Sequence, residues 1–314
     1  MNESEFHQWI YARSEGDGPE GRVLVGPGDD MAIVAWPIGD VMPAVDQVLD
    51  GVHFDLAECG PKLAGRKAMA RNLSDVAAMG ALPMAAVVAV ALPVGFAQAD
   101  AELIYEGIRE LADEFHCPVV GGDVAAWRHD AAKLAITVTI LARQAGTTAG
   151  VTPVLRSTAR AGNAICVTGE LGGSWLTGRD LSFTPRVLEG ILLNFRHKLL
   201  AMMDISDGLA MDLPRLCAAS GGIGAELIAD AIPVHPDALA GRDIDPLDAA
   251  LFDGEDYELV FTVPRGRLDA LLNDPQLPCK VSHIGWTTKE PGLRLRRGDD
   301  VTPIFPGGWD HATK

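Results

Sequence analysis

The sequence predicts a two-domain chain that mixes strands and helices, α/β or α+β in class. Its 314 residues are about two domains' worth of chain, so each half can bury a core of its own. Strand-like and helix-like segments alternate in both halves. Between them runs AGTTAGVTPVLRSTARAG (145–162), a Gly/Ala/Thr/Pro stretch suited to a domain connection, which sets the expected domains at 1–145 and 146–314.

Taken in order, residues 3–13 read as a short amphipathic helix, and 16–30 (GDGPEGRVLVGPGDD) as mostly loop, because glycine and acid dominate it. MAIVAW and VMPAVDQVL, which follow, read as strands. Residues 61–80 carry helix punctuation: proline in the first turn, Ala, Leu and Met throughout, and glycine at the end. A strand over 84–92 and a helix over 98–116 come next, then apolar CPVVGGD and the strand KLAITVTILAR. In the second half NAICVTG, LLAMMDI, YELVFTV and CKVSHIGW read as strands, with helices around 184–199, 207–219 and 265–273. No long repeat or heptad pattern is present.

Composition removes several function classes. The formal charge is −17, from 43 acidic against 26 basic residues, which argues against nucleic acid as a partner. If such a chain binds phosphates, divalent metal held by carboxylates is the natural neutraliser. The five cysteines are scattered, with no CxxC and no zinc spacing, and read as small buried hydrophobes in a reducing cytosol. The acidic N-terminus lacks the basic start and apolar core of a signal peptide, so a cytoplasmic location is expected. The most apolar run, Met84 to Ala97, is broken by Pro93 and Gly95 and falls short of the ~20 residues a membrane helix needs.

The chemistry lies where apolar strands run into glycine and aspartate: GPGDD (26–30), VDQVLDGVHF (45–54), VVGGD (119–123), MMDISDG (202–208) and LFDGEDYEL (251–259). A strand end is a rigid platform, glycine lets a phosphate approach, and aspartate supplies hard oxygen ligands. Singly, each junction is also ordinary turn chemistry, and Asp204, Ser206 and Asp207 also suit a helix N-cap. Asp75, a lone acid on an Ala-rich helix, suits either a pair with Arg71 or a place in a cleft. Together the five junctions favour metal binding. There is no GxxxxGK[ST] loop and no HRD or DFG set, which excludes both common nucleotide-kinase designs.

The ordered set GDDMAIV, DGVHF, NLSDVAAMGALP, GGD, RSTARAGNAICVTGELG, MMDISDGLAMDL, GEDYELVFT and GGWDH resembles the thiamine-monophosphate kinase family, of the superfamily that includes aminoimidazole ribonucleotide synthetase. The match covers nearly the whole chain. The resemblance implies magnesium ligands at Asp30, Asp46, Asp75, Asp123, Asp204 and Asp207. It implies ATP contacts at Gly122, Asp123, Arg156 and Ser206, and thiamine-monophosphate contacts at His53, Glu255 and Trp309. It also implies an N-terminal sheet domain that forms a homodimer and a C-terminal α/β domain. Without the family, His53 reads as a core histidine, Trp309 as a capping aromatic and Arg156 as part of an ion pair.

Departures from the family pattern are local. Ala44 and Val45 stand where Ser-Thr is usual, Val124 follows GGD in place of Thr, Thr158 replaces Gly, Asn163 an acid, and Gly173 the acid of LGDS. They permit an alternative, a weakened nucleotide-binding homodimer or an enzyme for another phosphorylated metabolite. If the acceptor is a phosphate monoester, its oxygen is already ionised near neutral pH, so no general base is expected.

Overall fold

The computed structural model describes residues 23–25, 33–34, 40–146 and 152–308. The chain forms two compact units, one taking it up to Val76 together with Leu82–Arg143, the other taking Ala77–Ala81 together with Gln144 onward. The helix expected over 3–13 lies outside the described residues. Within the stretch expected as loop, Val23–Val25 forms a strand (β1) paired antiparallel with Ile33–Val34 (β2). Its Val-Leu-Val run favours extended backbone despite the glycines on either side.

The first unit continues with β3 (Met42–Leu49), α1 (Leu56–Ala78), β4 (Ala81–Leu92), α2 (Gln98–Glu114), β5 (Val119–Ala126) and β6 (Ala135–Gln144). These strands make one sheet in the order β3-β6-β4-β5, with β3/β6 antiparallel and β4/β5 parallel. β3 alternates half-buried and exposed residues, as a one-sided strand does, and Asp46 falls on its covered side. α1 breaks at Gly60 (φ 74°, ψ 166°), so Pro61 opens the main helix in the first turn, where its missing N–H costs nothing. α2 buries Ala101, Ile104, Ile108, Leu111 and Ala112 on one stripe. The two helices touch backbone to backbone: a Cβ on Gly65 would lie 2.1 Å from Ile104 O, and one on Gly107 2.0 Å from Lys62 O. β4 is an interior strand that exposes part of a face, and the edges are β3 and β5.

The second unit contains β7 (Ala164–Thr168), α3 (Ser174–Thr177), α4 (Val187–His197), β8 (Ala201–Asp204), α5 (Leu209–Ala219), β9 (Gly224–Ile228) and α6 (Pro246–Phe252). It ends with β10 (Leu259–Val263), α7 (Leu268–Leu272), β11 (Val281–Thr288), β12 (Gly292–Arg297) and β13 (Asp300–Ile304). Its seven strands are ordered β13-β12-β9-β11-β7-β10-β8. β7, β8 and β10 are buried along their whole length, which explains their unbroken apolar runs. Ile165, Val167, Met203, Val260 and Ile284 from the sheet join Leu209, Leu213 and Leu216 from α5 in one core. Each such side chain stabilises by about 1.5–3 kcal/mol relative to exposure. Antiparallel pairing of β10 with β7 and β8, and of β11 with β7, places the ends of β7 and β8 beside the beginnings of β10 and β11.

Candidate functional site

Four expected site residues lie on the first unit's sheet and α1. Asp46 sits near the middle of β3, and its Oδ2 is 3.9 Å from Arg71 Nε of α1. Arg71 thus faces Asp46 from another element. Asp75 is half-buried. Asp123 is exposed on β5, at the opposite edge of the sheet from β3. Beside it Gly122 is required by close strand approach, since a Cβ there would fall 2.0 Å from Val88 O.

His53 is 7% exposed in the turn after β3. Its Nδ1 accepts from the Leu49 N–H at 3.0 Å, which leaves Nε2 as the N–H of the neutral ring. Lys67, fully buried in α1, donates to His53 O at 2.5 Å and fixes the turn from below.

The second unit gathers the other motifs at one end of its sheet. Asp204 ends β8, 6% exposed, and pairs in register with Leu259, the first residue of β10. Beyond the regular strands the two segments continue to zip together. Ile205 N–H donates to Glu258 O at 2.8 Å, Tyr257 N–H to Ile205 O at 2.9 Å, and Glu255 N–H to Ser206 O at 2.7 Å. Glu255 (φ 57°) and Tyr257 (φ 51°) both adopt left-handed backbone, following Gly254 (φ 73°). For non-glycine residues that costs of order 1–3 kcal/mol each, so the surrounding bonds must hold the loop in place.

Ser206 and Asp207 do not cap α5. Its N-cap is Gly208, with no side-chain bond, and Asp212 in the first turn reaches back instead. One oxygen of Asp212 accepts the Ser206 N–H at 3.0 Å and the Asp207 N–H at 2.9 Å. The Asp207 carboxylate pairs with Arg215. Burial, helped by the charges of Asp204 and Asp207, pushes the Asp212 carboxyl up to about 7. Arg215, which pairs with both Asp207 and Asp212, offsets part of this negative charge.

Further acids of this unit are structural. Asp256 is 3% exposed and accepts from Gly172 N–H with both oxygens at 3.0 Å and from Arg179 Nη2 at 3.1 Å. Glu258 takes Arg186 through two bonds, at 2.8 and 2.6 Å, and the Thr168 hydroxyl at 2.6 Å. Phe183 stacks on Tyr257 with ring centroids 4.2 Å apart. These groups wall a cavity of about 470 Å³ at the same end of the sheet.

The structure thus brings Asp204, Ser206, Asp207 and Glu255 together, and Asp46 with the helix that carries Asp75. Arg156 is exposed, its own carbonyl accepting the Ser220 hydroxyl at 2.8 Å. Asp30 and Trp309 lie outside the described residues. Among the described residues no group of three or more His, Cys, Asp or Glu side chains is arranged to hold a metal ion. Sequence reasoning missed Lys67, Asp212, Asp256 and their arginine partners. The signals were present for two of them: Asp212 falls in the first turn of an expected helix, and Asp256 lies inside GEDYEL.

Comparison with known proteins places this geometry. Residues 28–143 match the family described as AIR synthase related protein, N-terminal domain, and residues 179–298 match its C-terminal domain. A thiamine-monophosphate kinase of Rhodopirellula baltica is 39% identical over 305 residues, covering 92% of each chain. The crystal structure of thiamine-monophosphate kinase from Stenotrophomonas maltophilia K279a superposes with a TM-score of 0.79 at 30% identity, covering 94% of this chain and 96% of that one. A structure described as AaThiL complexed with AMPPCP and TMP gives a TM-score of 0.70 at 28% identity over 99% of both chains. With both domains matched in order and a 39% identical relative aligned over 92% of each chain, the chain belongs to the AIR synthase related proteins and, within them, to the thiamine-monophosphate kinase family.

Proposed function

We propose that this chain transfers the γ-phosphoryl group of ATP directly to thiamine monophosphate, forming thiamine diphosphate, and that it works with magnesium as a cytoplasmic homodimer. The observation that supports the reading is the 2.7 Å bond from Glu255 N–H to Ser206 O, which ties together the two positions that the reading assigns to acceptor and nucleotide. Likeness to enzymes named thiamine-monophosphate kinase, and to a structure described with AMPPCP and TMP, supports it.

In this reading Asp30, Asp46, Asp75, Asp123, Asp204 and Asp207 would serve as ligands for several magnesium ions, whose charge would offset that of the two phosphate-bearing substrates. Gly122, Asp123, Arg156 and Ser206 contact the nucleotide, Arg156 countering charge on its phosphates. His53, Glu255 and Trp309 hold the acceptor. The His53 ring is oriented by the Leu49 N–H, which Nδ1 accepts. Glu255 presents a carboxylate toward the cationic part of thiamine, and Trp309 an aromatic face. The acceptor phosphate attacks as an ionised oxygen, so positioning and charge neutralisation do the work and no side chain need remove a proton.

Two of the substituted positions, Asn163 and Thr158, give no support to the alternative of a nucleotide-binding protein without turnover. Asn163 takes the Arg160 N–H on its side-chain oxygen at 2.7 Å, and Thr158 donates to Leu200 O, so both serve the local backbone. The test is chromatographic detection of thiamine diphosphate after incubation with ATP and magnesium, with and without thiamine monophosphate. Product is expected from the wild type and a loss of it from Asp75→Asn. ATP binding without product would return the weakened-enzyme reading.

A further inference from the structure

Glu255 is held in left-handed backbone between two aspartates, and each aspartate is pinned by one of two successive amides. Gly172 N–H donates to both oxygens of Asp256 at 3.0 Å, and Gly173 N–H donates to Asp253 Oδ2 at 2.9 Å. Arg179 closes the first clamp, giving Nη2 to Gly172 O at 2.9 Å and to Asp256 at 3.1 Å, and Nε to Asp237 at 3.0 Å. Arg242 closes the second by pairing with Asp253. The amide pair needs glycine: a Cβ on Gly172 would sit 2.8 Å from Ala250 N, and one on Gly173 2.3 Å from the Asp237 carbonyl carbon.

We propose that Asp256 is a positioning residue for the acceptor, acting through Glu255, with the Gly172–Gly173 amides and Arg179 as the bracket that sets the strained loop. The inference rests on the assignment of Glu255 to thiamine monophosphate made above. Asp256 is buried and bonded on both oxygens, so its carboxylate is spent on structure. Its effect passes along one residue of backbone to Glu255, whose N–H is fastened to Ser206 O. A loop held against its own conformational preference relaxes when one clamp opens. Small displacements of a positioning group cost catalysis disproportionately.

The test uses the full chain carrying Asp256→Asn, with Arg179→Lys as a milder second variant should the first fail to fold. Lysine keeps the charge but cannot serve Gly172, Asp256 and Asp237 together. Amide hydrogen exchange at Glu255 and Tyr257 is expected to rise by about tenfold or more as the loop loosens. The KM for thiamine monophosphate is expected to rise about 10- to 100-fold, and by more than the KM for ATP, because Ser206 is reached only through a further hydrogen bond beyond Glu255. In a Glu255→Gln background the same substitution should add almost nothing to the acceptor KM, because the residue through which it acts is already gone. Exchange at wild-type rates overturns the bracket whatever the substrate. Faster exchange with equal rises in both KM values, or fully additive effects with Glu255→Gln, overturns the link to the acceptor. A wild type with no turnover of thiamine monophosphate refutes the functional reading instead, and exchange then decides the bracket on its own.

Discussion

Asp212 and Asp256 are both buried, and burial raises both carboxyls to about 7. Each is kept because it accepts backbone N–H groups that would otherwise go unsatisfied in a strained or irregular loop. Removing the acceptor in Asp212→Ala should therefore destabilise by about 1–3 kcal/mol, read from denaturant unfolding at pH 7. For Asp256 the sign of the pH effect follows from its neighbours. Burial raises it, and Arg179 and the Gly172 N–H pull the other way. The folded-state value lies above the unfolded 3.8, so the native state binds the extra proton and stability from this group falls as pH rises from about 4 to about 7. In Asp256→Asn that slope should flatten, which unfolding curves at pH 5 and pH 8 would reveal. The residue types at the site were legible because glycine and aspartate at strand ends announce themselves. Pairings were not: Arg71 faces Asp46 from another element, and Asp212 replaces the expected cap, since both depend on how helices lie on sheets.

At the scale of elements, the buried strands of both units were legible as continuous or alternating apolar runs, and α1 by its proline and glycine punctuation. β9, β12 and β13 were not, because GAELI, GLRLRR and DVTPI are short and carry charge or proline. α6 had a readable start, with Asp245 accepting the Leu247 N–H and Pro246 in the first turn, though seven residues are too few to show a period. Close backbone approach also leaves little trace in sequence. Gly107→Val would drive a side chain into Lys62 O, and at least the ~1–3 kcal/mol of an overpacked contact should appear as a lowered Tm. Gly173 explains one departure from the family: with φ 76° and Asp237 against it, this backbone has no room for the usual aspartate. Gly173→Asp should therefore destabilise and not restore a ligand, and a rise in activity with unchanged Tm would contradict the packing.

For the whole molecule, the first unit's sheet leaves the outward residues of β3 exposed and those of β6 half-buried, with Val45 62% exposed and paired in register with Thr139. A homodimer through this sheet predicts that Val45→Lys, which puts a charge on the apolar patch, shifts the sedimentation mass toward the monomer; a wild-type mass in the variant would move the interface elsewhere. The two-domain class followed from length and alternation, and the specific fold from the motifs, whereas strand order could not be foreseen because β4 pairs by tertiary position. The central claim is acceptor-dependent phosphoryl transfer, and the most direct measurement is ADP release by the purified chain against thiamine diphosphate formed. The account predicts ADP release that requires thiamine monophosphate, with one thiamine diphosphate per ADP and no covalent phospho-enzyme on the path. ADP release that ignores the acceptor, or a phosphorylated enzyme that discharges to it, would contradict it.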